Sequence, residues 1–230
     1  MNGPHDMGGD QGFPPIEIEA SHEESGLGHF HEDWEKSVLT MALVSIGAGL
    51  YPIEAARYAR ERQFPGSYLE RSYYETWLYG LVLNLIESEA VTADEMIEMG
   101  LITQDELDMA MRLREQALAE PSILRSTEMT PPRYQVGDPV RAIVQHTAGH
   151  TREPGYTRGR IGVIEHVYDN DDPGAEDART FADVRGTSLE MIKRPLYTVR
   201  FRASELWGVH GEENGYVHVN MWEDYLEPAL

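Results

Sequence analysis

The chain has 230 residues, enough to bury one large core or two modest ones, and carries a formal net charge of −21. That charge opposes binding to nucleic acid and to anionic membranes, both of which select a basic surface. No apolar run approaches the ~18 residues that span a bilayer, and Met1 is followed by glycines, Asp6 and Asp10 instead of the basic and apolar segments of a secretory signal, so the cytoplasm is the expected compartment.

Cysteine is absent, so the chain has no disulfide and offers no thiolate to a metal or a substrate. Lysine is confined to Lys36 and Lys193 beside seventeen arginines. Arginine favours bidentate, partly buried ion pairs and interfaces, although a GC-rich genome produces the same bias. Residues 1–125 hold 23 acids against 8 bases, and residues 126–230 hold 17 against 11, so acid is densest in the half that reads as helical.

Residues 1–28 are rich in Gly, Pro, Asp and Glu and lack periodicity. Such a segment is expected to be disordered alone; its apolar centre, Phe13-Pro14-Pro15-Ile16, leaves open the alternative of an arm that orders along a partner in a complex. A helical domain is expected over 29–125. Its first helix begins at Glu32, with Trp34, Val38, Met41 and Ser45 on one line and Leu39, Ala42 and Ile46 beside it, and ends at Gly47 and Gly49. Pro52 opens a second helix, Ile53 to Gln63. Phe64-Pro65-Gly66-Ser67 reads as a turn. The longest periodic element follows, Tyr68 to about Glu89, apolar most of the way round and therefore central. Thr92-Ala93-Asp94-Glu95 and Thr103-Gln104-Asp105-Glu106 are capping boxes that open two further helices, the second reaching about Ala119. Pro121, Pro131 and Pro132 mark a linker over 120–133.

From Tyr134 the period shifts towards two, and a β domain is expected over 133–230. A strand follows Val136-Gly137-Asp138-Pro139 and ends near Gln145. Others are expected at Ile161 to Val167, Leu196 to Arg202 and Tyr216 to Trp222, with Tyr225-Leu226 closing the chain. Residues 169–194 are acidic and aperiodic and read as a surface excursion. Several short strands separated by turns indicate a small barrel. The fold class is α+β.

Between the first two strands of that domain lies Gly149-His150-Thr151-Arg152-Glu153-Pro154-Gly155, a loop held in turns by its glycines and proline. It presents Arg152, with Arg158 and Arg160 behind it. A guanidinium has five donors in a planar fork and keeps its charge, so the loop suits recognition of a localised anion. The bland alternative is a turn arginine paired with Glu153 or Glu165. Arg57, among Ala55, Ala56 and Ala59 on the second helix, is ordinarily a surface residue or one end of a weak ion pair. Yet Ala56 and Ala59 let something approach closely, and Arg60 and Arg62 place three arginines within six residues. Tyr73 and Trp77 lie one helical turn apart, a spacing more typical of core, but a buried tyrosine hydroxyl needs a partner. His29 and His31 precede a helix and read as cap or interface residues. His150 reads as holding the arginine loop by a backbone contact. Neither His29 with His31 nor His146 with His150 has a third ligand at metal spacing, so no metal is assigned to this chain. Arg158-Gly159-Arg160-Ile161-Gly162-Val163 also resembles the turn-strand of RNA-touching ribosomal modules, a reading that the acidic surroundings disfavour.

The Gly-His-Thr-Arg turn running into Tyr156 and Arg158-Gly159, read with Met1-Asn2-Gly3-Pro4-His5-Asp6-Met7-Gly8-Gly9 and with Leu196–Phe201 through Ser204-Glu205-Leu206-Trp207-Gly208, resembles the beta subunit of nitrile hydratase. The resemblance implies an SH3-like β-barrel for the C-terminal domain and an alpha-subunit partner in an αβ heterodimer or α2β2 heterotetramer. That partner would hold Fe(III) or Co(III) through cysteine thiolates, some of them oxidised, and the assembly would hydrate nitriles to amides. The resemblance further implies that Arg57 and Arg152 donate to the oxidised cysteines, that Tyr73 hydrogen-bonds at the mouth of the metal site, and that Trp77, Ile53 and Ala56 line the substrate pocket. Ala56, a small residue for that position, hints at room for a bulky nitrile. Two other readings remain: a scaffold or activator with an adaptor barrel, and a subunit resembling that of thiocyanate hydrolase.

Overall fold

The structure, a computed structural model, describes residues 3–6, 30–119, 131–146, 149–168, 180–182 and 191–229. The expected partner-wrapping arm therefore lies largely outside the described residues, as do His29 and most of both the linker and the 169–194 excursion.

Six helices form the N-terminal half: α1 (Asp33–Gly47), α2 (Ile53–Glu61), α3 (Pro65–Glu70), α4 (Tyr73–Glu87), α5 (Ala93–Glu98) and α6 (Gln104–Ala119). Their starts follow local chemistry. Glu32 and Glu35 form a reciprocal capping box at α1, and Thr92 and Glu95 form one at α5. At α6 the Glu106 N–H donates to Thr103 Oγ1 while Glu106 Oε2 accepts from Thr103 N. The longest expected helix proves to be two. Pro65 sits at the first turn of α3, where its missing N–H costs nothing. The backbone extends at Arg71 (ψ 141°), and Ser72 with Glu75 then caps a fresh helix. Ser72-Tyr73-Tyr74-Glu75 is the same capping signature as the other two, so the restart was readable.

The buried line of α1 is Glu35, Val38, Ala42 and Ser45, whereas Met41 is 47% and Val44 63% exposed. α4 is the central element, because Tyr79 through Asn84 are buried consecutively, which requires neighbours on every side. α2 packs closely against it at Gly80. A Cβ there would stand 2.6 Å from Arg60 Cγ, so glycine is what admits the arginine stem between the two helices. Arg62, nearly fully buried, locks the bundle. Its Nη1 donates to Glu87 Oε1 at 2.5 Å and to Ala110 O at 3.3 Å, and its guanidinium lies 4.6 Å over the Tyr58 ring. These contacts join α2, α4 and α6.

The C-terminal half contains β1 (Pro139–Ala142), β2 (Ile161–Val167), β3 (Thr180–Ala182), β4 (Met191–Lys193), β5 (Leu196–Arg202), β6 (Tyr216–Trp222) and β7 (Leu226–Pro228), with a short helix α7 (Ala203–Trp207) between β5 and β6. Antiparallel ladders order the main sheet β6-β5-β2-β1-β7, and β3 pairs with β4 separately inside the 169–194 excursion. Val140, Ile164, Val199, Phe201, Met221 and Leu226 supply its core, from alternate positions of the strands. The α+β class holds. The sheet is open, because no ladder among the described residues joins β6 to β7, so the closed barrel is not seen.

Removing the counterion of Arg62 tests the helical core. Glu87→Gln is expected to lower unfolding stability by about 3 kcal/mol, because a buried guanidinium loses its charge partner. The readout is the urea midpoint.

Candidate functional site

One cleft of about 450 Å³ opens where the two halves meet, lined in part by Arg57, Arg60, Tyr73, Trp77 and Arg152. α2 contributes the first two, α4 the aromatic pair, and the loop before β2 contributes Arg152. The structure thus brings together four residues singled out in the sequence, Arg57, Arg152, Tyr73 and Trp77. Ile53 and Ala56 do not line the cleft. Ile53 begins α2 and is 44% exposed, while Ala56 packs half-buried against the cluster formed by Ala42, Tyr51, Ala55, Tyr58, Leu81 and Ala117.

What fixes the Arg152 loop is a side chain whose role differs from the expected backbone contact. His150, 5% exposed, inserts between two carboxylates of α2: Nδ1 lies 2.7 Å from Glu61 Oε1, and Nε2 lies 3.1 Å from Glu54 Oε2. Glu54 and Glu61 are seven residues apart, two helical turns, and so share one face. With a carboxylate at each ring nitrogen, the doubly protonated imidazolium is the form that donates to both. Burial opposes that charge, but the hydrogen bonds and charges of Glu54 and Glu61 outweigh it and raise the His150 pKa. Burial likewise pushes Glu54 up, yet hydrogen bonds from His150 and Arg57 prevail and hold it at about 2. Glu61 is lowered by the same balance.

The clamp reaches both arginines. Arg57 Nη1 donates to Glu54 Oε1 at 2.6 Å, so the carboxylate that grips His150 also aims Arg57. The backbone N–H of Arg152 donates to the Tyr225 hydroxyl at 3.1 Å, and Gly155 N–H donates to Asp6 Oδ2 at 2.9 Å, which fix the loop from the sheet and from the chain start. A Cβ on Gly155 would stand 2.5 Å from Asp6 Oδ2, so a larger residue there would displace that carboxylate. Neither bland partner of Arg152 is used: Glu153 lies 3.4 Å from Arg158, and Glu165 faces Arg200 and His218. Burial pushes Glu153 up to about 7 against the opposing charge of Arg158. Among the described residues Arg152 forms no ion pair.

On the opposite wall Tyr73 is 66% exposed and its ring sits 5.8 Å from that of Trp77. Arg60, present in the sequence only as one of three clustered arginines, lays its guanidinium 4.4 Å over the Trp77 ring. His5, Tyr68, Arg71 and Thr76 also line the cleft and were not anticipated. Among the described residues no group of three or more His, Asp or Glu side chains is disposed to hold a metal ion.

The fold and cleft define an α+β chain that presents guanidinium donors and no thiolate at the seam between its halves. Comparison with known proteins identifies it further. Residues 1–131 match the family model described as nitrile hydratase beta subunit, N-terminal, and residues 122–228 match the corresponding C-terminal model. The chain is 33% identical over 241 residues to the low-molecular weight cobalt-containing nitrile hydratase subunit beta of Rhodococcus rhodochrous, covering all of both chains. It is 31% identical to the nitrile hydratase subunit beta of Rhodococcus erythropolis, again over all of both, and 28% identical to the cobalt-containing subunit beta of Pseudonocardia thermophila over 99% of this chain and 96% of that one. A thiocyanate hydrolase from Thiobacillus thioparus, a recombinant apo-enzyme, aligns with a TM-score of 0.33 at 25% identity over 43% of this chain and 78% of that one, too loosely to bear on the assignment. The chain belongs to the nitrile hydratase beta-subunit family.

The clamp has a pH signature. His150 has a raised folded pKa, so its contribution is complete below its ordinary value of 6.5 and is lost as pH rises through the raised one. Glu54 is depressed, so its contribution is complete above 4.5 and is lost as pH falls towards about 2. The stability gap between wild type and His150→Ala should therefore be widest between pH 4.5 and 6.5 and narrow on both sides, as read by urea midpoints across pH.

Proposed function

We propose that this chain is the non-metal-ligating subunit of an enzyme that adds water to a nitrile to give an amide, inactive until joined by an alpha subunit that holds Fe(III) or Co(III). The observation that carries this reading is the convergence of Arg57 and Arg152, from separate halves of the chain, on one cleft. Glu54 satisfies one nitrogen of Arg57, and Arg152 forms no ion pair among the described residues, so donors of both remain for an anion in the cleft. Oxidised cysteine oxygens are compact anions that match a planar donor fork. The donor set fits that task, since a chain without cysteine supplies hydrogen bonds to such a centre but no thiolate ligand to it. The partner's metal, when bound, supplies Lewis acidity towards the nitrile or its attacking water.

In this reading Arg57 and Arg152 orient and stabilise the oxidised ligands. Tyr73 offers its hydroxyl at the mouth, and Trp77 forms a wall of the nitrile pocket. Ile53 and Ala56 contribute to the part of that pocket completed by the partner. Exposed Met41 and Val44, one turn apart on α1, with Leu69 and Tyr73, give a partner apolar surface to cover. We read residues 1–28 as the arm that wraps it, 29–125 as the helical domain and 133–230 as an SH3-like domain. A meander of β1, β2, β5 and β6, followed by a fifth strand, β7, that returns beside β1, supports an SH3-like reading, with the barrel opened along the seam between β6 and β7. No helix among the described residues is long and apolar enough to cross a membrane, which is compatible with a cytoplasmic αβ or α2β2 enzyme.

Co-expression with the alpha subunit tests the reading. Arg57→Lys and Arg152→Lys keep the charge but lose the fork, and each is expected to lower nitrile turnover about 100-fold in an assembled heteromer. Wild-type turnover and metal content in Arg152→Lys would remove that arginine from the mechanism.

A further inference from the structure

The cleft carries more guanidinium than the oxidised ligands require, and its arginines differ in how they are satisfied. Arg57 is bound to Glu54. Arg71 donates to Gln63 Oε1 at 2.7 Å and to Glu106 Oε1 at 2.5 Å. Arg152 belongs to the site already described. Arg60 donates through Nε to the Ala56 carbonyl at 3.0 Å, one turn back on its own helix, and among the described residues its two terminal nitrogens have neither a hydrogen-bond acceptor nor an ion-pair partner.

Its position is built. Gly80 makes room for the stem, the bond to Ala56 turns the side chain along α2, and the Trp77 ring supports the guanidinium from one face at 4.4 Å. Stacking occupies the face of the fork and leaves its in-plane donors available. The neighbouring carboxylate, Glu61, is engaged by His150. Burial, joined by the charge of Arg57, works against the Arg60 cation and outweighs the favourable fields of Tyr73 and Glu61, lowering its pKa, so an arriving anion relieves a cost already present in the folded chain.

We propose that Arg60 is a specificity residue that binds the carboxylate of the substrate, so that the preferred substrates are nitriles carrying a carboxylate at the far end from the cyano group. This rests on the hydratase reading, because it places the cyano end at the Arg57–Arg152 side of the same 450 Å³ cleft. A cleft of that size suits a small molecule. The carboxylate takes two hydrogen bonds from the fork and undergoes no bond change, and water adds only at the nitrile.

The test uses the heteromer assembled with its alpha subunit and two substrates of nearly equal shape, 4-cyanobutanoate and its neutral amide, 4-cyanobutanamide. Wild type is expected to favour the carboxylate in kcat/KM by about ten- to a hundredfold, the worth of a charge-assisted fork. In Arg60→Leu the ratio should fall to about one, in Arg60→Lys it should be intermediate, and in Arg60→Glu it should invert. Calorimetric titration with pentanoate, which has no group to hydrate, should show binding to wild type and loss of it in Arg60→Leu. A wild-type ratio near one, or a ratio unchanged in Arg60→Leu, overturns the proposal. The second result would assign the anion that Arg60 meets to the partner subunit. If neither nitrile is hydrated but pentanoate binding still depends on Arg60, the hydratase reading fails and the carboxylate site stands.

Discussion

The imidazolium of His150, held between Glu54 and Glu61, is the contact on which the site depends. It is the buried ionic link between the loop that displays Arg152 and the helix that displays Arg57. A charge taken out of water is costly unless it is paired and hydrogen-bonded, and here each ring nitrogen has its own carboxylate. The two acids stand two turns apart on α2, so the ring bridges a fixed span of helix, which sets both the distance and the direction of the loop. Glu54 also holds Arg57, so one carboxylate serves both arginines' placement.

The arginine-for-lysine bias takes on a physical meaning once the positions are seen. Arg62 engages Glu87 and the Ala110 carbonyl while stacking on Tyr58, and Arg71 spans Gln63 and Glu106 while lying 4.8 Å over the Tyr79 ring. Each uses the width and flatness of the fork, which a point-charge ammonium does not supply. Three arginines close together in the sequence at 57, 60 and 62 diverge in use: the first two face the cleft and the third is core. Helical phase makes the division, since 57 and 60 are one turn apart and 62 falls on another face.

Much of the fold was legible because its signals are local. The strands at 161–167, 196–202 and 216–222 alternate and lie between turn residues, and the capping boxes at Thr92 and Thr103 open helices where they stand. The break at Arg71 was also local, but the apolar periodicity running from Tyr68 onward masked the cap at Ser72. The buried face of α1 was harder. Its apolar residues run most of the way round, and which line turns inward is decided by α4. Barrel closure is a tertiary question that strand periodicity does not answer. In the site, Arg57, Arg152, Tyr73 and Trp77 were legible through the family resemblance, and the structure sets them on one cleft. The clamp was not, because His150 meets its acids across about ninety residues of chain, and the two-turn spacing of Glu54 and Glu61 has no meaning until the histidine arrives.

The central claim is that two guanidinium forks meet oxidised sulfur ligands belonging to another polypeptide. A crystal structure of the assembled, metal-loaded heteromer tests it most directly. The account predicts nitrogens of both Arg57 and Arg152 within about 3 Å of oxygens on the partner's oxidised cysteines, with His150 still between Glu54 and Glu61. Either arginine turned to solvent, or neutralised by an ordinary carboxylate of the partner, would contradict it.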